Sequence, residues 1–181
     1  MKEASQPDFT TYARNVVENA KTLGDGLIKF GHVLATGGTS NHLILWDVRP
    51  LGLTGSKVDK VLEAVSITAN KNSLPGDLSA VNPGGVRLGT PALTTRGFGK
   101  KDFERVAEFL HEGCLIAQEV QQKAESAVES KLRAKDASRT SKKVLLKDFE
   151  KVLASDEAIK TRIVELKTSV ENFSSGFFMP G

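Results

Sequence analysis

From Lys100 onward the chain carries Phe103, Val106, Ala107, Leu110, Cys114, Ala117 and Val120 at spacings of three and four, a stripe that only a helix gathers on one face. Such a stripe has to be buried against another surface, and the residues before it supply the pieces. Phe9, Tyr12, Val16, Ala20, Leu23 and Leu27 share the helical spacing, with Asp8 as the expected N-cap and Gly31 as the stop, which predicts a helix from about Asp8 to Phe30. Gly24 and Gly26 inside it each cost about 1 kcal/mol relative to Ala and mark a bend or a close approach. Between the two helices the period shortens. His32–Thr36 and the apolar His42–Val48 read as the strands of a hairpin around Gly37-Gly38, and Pro50 ends the second. Ser56 is placed to cap a helix that turns Val58, Val61, Leu62 and Val65 inward. Ile67–Asn72 reads as extended, Leu74-Pro75-Gly76-Asp77 as a turn, and Gly85–Gly89 as a short strand interrupted by Pro91. The alternation predicts an α+β sandwich: a small sheet covered by helices on one side and preceded by a long helix.

After Gln122 only Val128 and Leu132 are large and apolar until Val144, so 123–143 is expected to be frayed helix running into a flexible linker. Its second part, Lys131 to Lys143, is basic, with Lys131, Arg133, Lys135, Arg139, Lys142 and Lys143 against Asp136 alone. Helical spacing resumes at Val144, Leu145, Phe149, Val152 and Leu153, and Ser155 is expected to cap a last helix with Ile159, Ile163, Leu166 and Val170 inward. The organisation expected is a leading helix over 1–31, an α+β domain over 32–122, the basic linker over 123–143, and C-terminal helices with a tail over 144–181.

At 181 residues the chain fits one domain, with or without a helical extension. Its 39% hydrophobic and 26% charged residues are those of a globular protein, and no apolar run approaches the roughly 18 residues of a membrane span. Met1 to Asp8 lacks the basic and apolar regions of a signal peptide. A single cysteine, Cys114, excludes an intrachain disulfide, which makes a reducing interior the default. The net charge of +3 is mild, so any acidic partner, nucleic acid included, would have to meet the basic run. No aromatics interleave its charges, and a solvated linker accounts for it, so nucleic acid is not an expected partner.

Three polar clusters interrupt this structural sequence. Thr36 to His42 is small and hydrogen-bonding, and reads first as a tight turn. Ala69-Asn70-Lys71-Asn72-Ser73 ends a strand with two carboxamides and an ammonium, more polarity than packing needs; a carboxamide offers one donor and one acceptor to the edge of a heterocycle. Gly84 to Pro91 holds Arg87 between apolar neighbours, which suggests a semi-buried guanidinium gripping an anion, either a ligand carboxylate or an internal Asp or Glu. Catalytic templates fail. Gly52-Leu53-Thr54-Gly55-Ser56-Lys57 lacks the order of a phosphate loop, and no dinucleotide fingerprint occurs. His111 and Cys114 stand three apart on a helix without a further His or Cys cluster, so no metal site is expected, and His32 and His42 at strand ends read as satisfied histidines.

The three clusters resemble the serine hydroxymethyltransferases. That family carries a G-G-S/T-D/E-N-H turn, an N-K-N-S/T-x-P-G-D loop and a G-x-R-x-G-x-P-A-x-T-S/T-R-G strand and turn, and the same order stands here as Gly37 to His42, Asn70 to Asp77 and Gly85 to Gly97. The resemblance runs from the first helix to Val170-Glu171-Asn172-Phe173 and Phe177, a eukaryotic-like tail, with Ser40 in a place usually acidic and a longer link at 123–143. It implies the small C-terminal domain of a pyridoxal 5'-phosphate enzyme of fold type I, aminotransferase-like, which interconverts serine and glycine while moving a one-carbon unit to or from tetrahydrofolate. It further implies that Arg87 grips the carboxylate of serine or glycine, that Asn72 hydrogen-bonds the folate's pterin with Lys71 and Ser73 beside it, and that Arg96 gives positional support. The family's Schiff-base lysine follows a T-T-T-H-K motif that does not occur here. The expectation is therefore a fragment without a catalytic residue, inactive alone, whose partners are the missing large domain and a second copy in a homo-oligomer, in the cytoplasm or a mitochondrion. A different reading is a non-catalytic stand-alone chain that docks on full-length enzyme through the apolar face of its first helix.

Overall fold

A computed structural model describes residues 3–78, 82–133 and 143–179. The first helix, α1 (Pro7–Lys29), begins one residue before Asp8 with Gln6 as its N-cap, since Pro7 already supplies the φ of a first helical turn. Strands β1 (Val33–Leu34) and β2 (Leu43–Asp47) pair antiparallel, Leu34 opposite Trp46, so the expected hairpin forms with 35–42 as its connection. Helix α2 (Gly55–Ala64) takes Thr54 as N-cap without a side-chain bond, and Ser56 lies inside it, buried. β3 (Asn70–Asn72) and β4 (Gly85–Gly89) complete an antiparallel sheet of order β1-β2-β4-β3. Pro91 opens a one-turn helix, α3 (Pro91–Thr95).

Alternation along the strands decides which face is covered. Ile44 and Trp46 of β2 and Val86 and Leu88 of β4 point to one side and are buried in the main core with Leu23 and Leu27 of α1 and Val58, Val61 and Leu62 of α2. Helices α1 and α2 lie on that face, and the long α4 (Lys100–Arg133) packs against both, its Phe103, Ala107, Leu110, Ala117 and Val120 buried. Gly26 of α1 lies tightly against α4, since a Cβ there would stand 2.8 Å from that of Ala107. This is an α+β layer arrangement with helices on one side of the sheet.

Helix α4 does not fray after Gln122. Ala124 and Val128 continue the buried stripe at a spacing of four, Leu132 packs partly against it, and Lys123 ties Glu119 (3.1 Å) to Asp156 (2.9 Å). Burying a Val is worth roughly 1.5–3 kcal/mol, and small Ala residues fill the rest of the face, which a count of large apolar residues overlooks. The expected linker therefore shrinks from its N-terminal side, and 134–142 lies outside the described residues. Helix α5 (Leu146–Ser155) is followed by α6 (Glu157–Ser175), which Asp156 rather than Ser155 caps by accepting from the Ile159 amide at 3.1 Å. Among the described residues no helix is long and apolar enough to cross a membrane.

Candidate functional site

Among the described residues no helix lies over the sheet's second face. Arg87 points there because Val86 and Leu88 on either side point inward. Its side chain is exposed, not semi-buried as its apolar neighbours suggested, and its guanidinium meets only the Asn70 Oδ1, at 3.5 Å; no Asp or Glu among the described residues pairs with it. Register places Leu45 opposite Arg87 on β2 and Asn70 opposite Arg87 on β3. Leu43 and Leu45 in turn line a concavity of about 480 Å³ with Thr36, Thr39 and Asn41. Three clusters far apart in sequence are thus neighbours on one open face, separated by strand spacings of about 4.8 Å.

Each segment is fixed differently. In the turn, Thr39 Oγ1 donates to the Leu43 carbonyl (2.6 Å) and the Asn41 side chain accepts from the Leu43 amide (2.9 Å), while Ser40 is exposed. Asn72 is half-buried and its Nδ2 donates to the Ser73 carbonyl at 2.8 Å; Lys71 and Ser73 beside it are exposed. The residues after β4 are tied to α1: buried Thr90 donates to the Val16 carbonyl (2.8 Å), Asn19 Nδ2 reaches Thr94 Oγ1 (3.0 Å) and the Phe98 carbonyl (3.1 Å), and the Tyr12 hydroxyl lies 3.0 Å from Thr95 Oγ1. Arg96 is half-buried and grips the chain's end, its Nη2 donating to the Ser174 carbonyl (2.6 Å) and its Nε to that of Phe178 (3.1 Å). Its partners thus lie at the end of α6 and beyond it, not on the strand that bears Arg87.

Asn19, Tyr12 and Arg49 were not legible as site-forming residues, and Asp77 stood only as the last residue of the Asn70 to Asp77 loop. Arg49 forks onto Asp47, its Nε reaching Oδ1 at 3.0 Å and its Nη2 reaching Oδ2 at 2.7 Å, and its Nη1 donates to Asp77 Oδ1 at 3.2 Å. The Asp-x-Arg spacing was the only available signal. Of the histidines, His32 is satisfied on one nitrogen only: Nε2 lies 3.0 Å from His111 Nδ1, and Nδ1 is buried without a partner among the described residues. Burial pushes the Cys114 thiol up to about 12.

One sheet face covered by helices and an opposite face that carries the exposed Arg87 between Leu45 and Asn70 define an α+β domain. The sequence pattern of the family described as serine hydroxymethyltransferase matches residues 1–110. Over the whole of this chain it is 45% identical to a serine hydroxymethyltransferase of Caenorhabditis briggsae, 44% to the chloroplastic serine hydroxymethyltransferase 3 of Arabidopsis thaliana and 41% to the cytosolic one of Oryctolagus cuniculus. It spans about a third of those relatives, 32%, 31% and 34% of their lengths. The chain belongs to the serine hydroxymethyltransferase family.

Proposed function

We propose that this chain is the substrate-reading part of an enzyme that interconverts serine and glycine and transfers the one-carbon unit to or from tetrahydrofolate. The observation that carries the reading is Arg87: a guanidinium held on an open sheet face with no internal carboxylate among the described residues is matched by a ligand carboxylate, which it can take bidentately. In this reading Arg87 binds the carboxylate of serine or glycine, Asn72 binds the pterin edge of the folate with Lys71 and Ser73 flanking it, and Arg96 supports the turn behind. The domain is then the small one of a fold-type I enzyme, working as a homo-oligomer.

Pyridoxal 5'-phosphate, which supplies the electron sink for such chemistry, does not fit the residues present. Among the described residues Lys57 is the lysine whose basicity burial lowers, and its Nζ donates to Gln121 Oε1 (2.6 Å) and the Val144 carbonyl (3.1 Å) where α2, α4 and α5 meet. It faces no open site, and no T-T-T-H-K stands in the chain. The cofactor lysine is assigned to the two thirds of the relatives' length that this chain does not span, and the chain alone has no transferase activity. The docking alternative has less of α1 to draw on, because Val16, Ala20, Leu23 and Leu27 are buried within this chain, while Phe9, Val17 and Ile28 stay exposed.

Mixing the purified chain with pyridoxal 5'-phosphate and serine tests this reading. No internal-aldimine band and no serine cleavage are expected; a stable yellow complex that cleaves serine would contradict it.

A further inference from the structure

The carboxamide of Asn72 bonds a peptide unit that the Asp77 carboxylate also bonds. Asn72 Nδ2 donates to the Ser73 carbonyl (2.8 Å), and the N–H of that same peptide unit, the Leu74 amide, donates to Asp77 Oδ2 (2.8 Å). Gly84, the residue before β4, donates its amide to the same Oδ2 at 2.8 Å, so one carboxylate joins both ends of the excursion between β3 and β4. The other oxygen, Oδ1, accepts from Arg49 Nη1 (3.2 Å), and the same nitrogen reaches the Pro75 carbonyl (3.1 Å). Arg49 in turn is locked by its two bonds to Asp47 at the end of β2. Room for this is made by Gly84, where a Cβ would stand 2.5 Å from Arg49 Cδ and 2.7 Å from Asp77 Oδ1.

We propose that Asp77, braced by Arg49, is the positioning residue for Asn72, and that it acts through the Ser73–Leu74 peptide. The proposal deepens the reading of Asn72 as the pterin-binding residue and rests on it for its functional meaning. With Nδ2 spending one hydrogen on Ser73, Asn72 keeps an amide hydrogen and Oδ1 without a partner among the described residues, one donor and one acceptor. That pair reads a heterocyclic edge only if its plane is fixed. Rotation of the Ser73–Leu74 peptide would carry the carboxamide with it. A carboxylate suits the task because it accepts two amides and a guanidinium at once; a carboxamide has a single oxygen and would present an N–H to one of these donors.

The test is residue-resolved NMR and amide exchange on the 181-residue chain, comparing wild type, Asp77→Asn and Arg49→Lys. In the wild type the Leu74 and Gly84 amides are expected to exchange as one unit, since a single acceptor holds both. Asp77→Asn is expected to speed their exchange by about tenfold or more and to shift the Asn72 side-chain resonances, with Arg49→Lys giving a smaller change of the same kind. Independent exchange of the two amides in the wild type overturns the proposal without any variant. So does an Asn72 signal that stays put while Asp77→Asn loosens the loop. Titration with 5-formyltetrahydrofolate separates the underlying reading. Movement of the Asn72 resonances, weaker in Asp77→Asn, supports both; no movement in the wild type counts against the pterin reading and leaves the positioning claim to be decided by exchange.

Discussion

His32 Nε2 and His111 Nδ1 face each other at 3.0 Å where the end of α1 meets α4, with Trp46 edge-on to His32 at 4.8 Å and Phe30 stacked on His111 at 4.5 Å. Two imidazoles can share such a bond only if one nitrogen accepts. Burial, and then the neighbouring His111, push His32 down to about 4 from the usual 6.5.

This pair makes stability depend on pH in a stated direction. Unfolded His32 takes up its proton near 6.5, whereas the folded residue stays neutral until about 4. In that window the unfolded state binds more protons, so the contribution is complete above pH 6.5 and is lost as pH falls toward 4. The thermal midpoint should drop between about pH 7 and about pH 4.5, and His32→Phe, which removes the titration, should flatten the drop. A wild-type slope identical to that of the variant would contradict this.

Gly26 sets how closely α1 approaches α4. Alanine would gain about 1 kcal/mol in helix propensity, but its Cβ would stand 2.8 Å from that of Ala107, with no rotamer to relieve it. Overpacking of this kind costs about 1–3 kcal/mol. Gly26→Ala is therefore expected to lower the unfolding free energy by up to about 2 kcal/mol in urea, whereas Gly38→Ala, with nothing within 4 Å, should change it by less than about 0.5 kcal/mol.

Arg96 should behave as a latch on the end of the chain. It bonds the Ser174 and Phe178 carbonyls, and Phe98, two residues on, stacks on Phe177 with ring centres 3.8 Å apart. Arg96→Ala should expose 174–179 to faster proteolysis and cost about 1–3 kcal/mol locally. Arg96→Lys should restore little, because one ammonium cannot span both carbonyls. Unchanged cleavage in Arg96→Ala would remove the latch.

Periodicity made the covered face of the fold legible. Gly85–Gly89 and the start of α4 stand where the spacing put them, since glycines and proline bound the strand and a strong apolar stripe marks the helix. The continuation of α4 to Arg133 was hidden because its buried positions include Ala124, which carries little hydrophobic signal, and because its hold on Asp156 links residues far apart in sequence. In the same way, Arg87, Asn70 and Asn72 were visible as polar residues among apolar ones, while the exposure of Arg87 was not. Its neighbours are apolar because they face the core, and the side chain between them faces out. The clamp on Asn72 was invisible for another reason: Arg49 and Asp77 meet only through the turn at Pro75 and the strand order β2-β4-β3.

In the proposed function this chain reads two different ligands with two different residues, Arg87 and Asn72. The direct measurement is a steady-state assay of a chimera in which residues 1–181 replace the matching segment of the Oryctolagus cuniculus relative. Arg87→Ala should raise the serine requirement by about 100-fold or more and leave the tetrahydrofolate requirement nearly unchanged. Asn72→Ala should do the converse, raising the tetrahydrofolate requirement by about tenfold. A chimera whose serine requirement is indifferent to Arg87→Ala, or in which both variants move both substrates equally, would contradict the account.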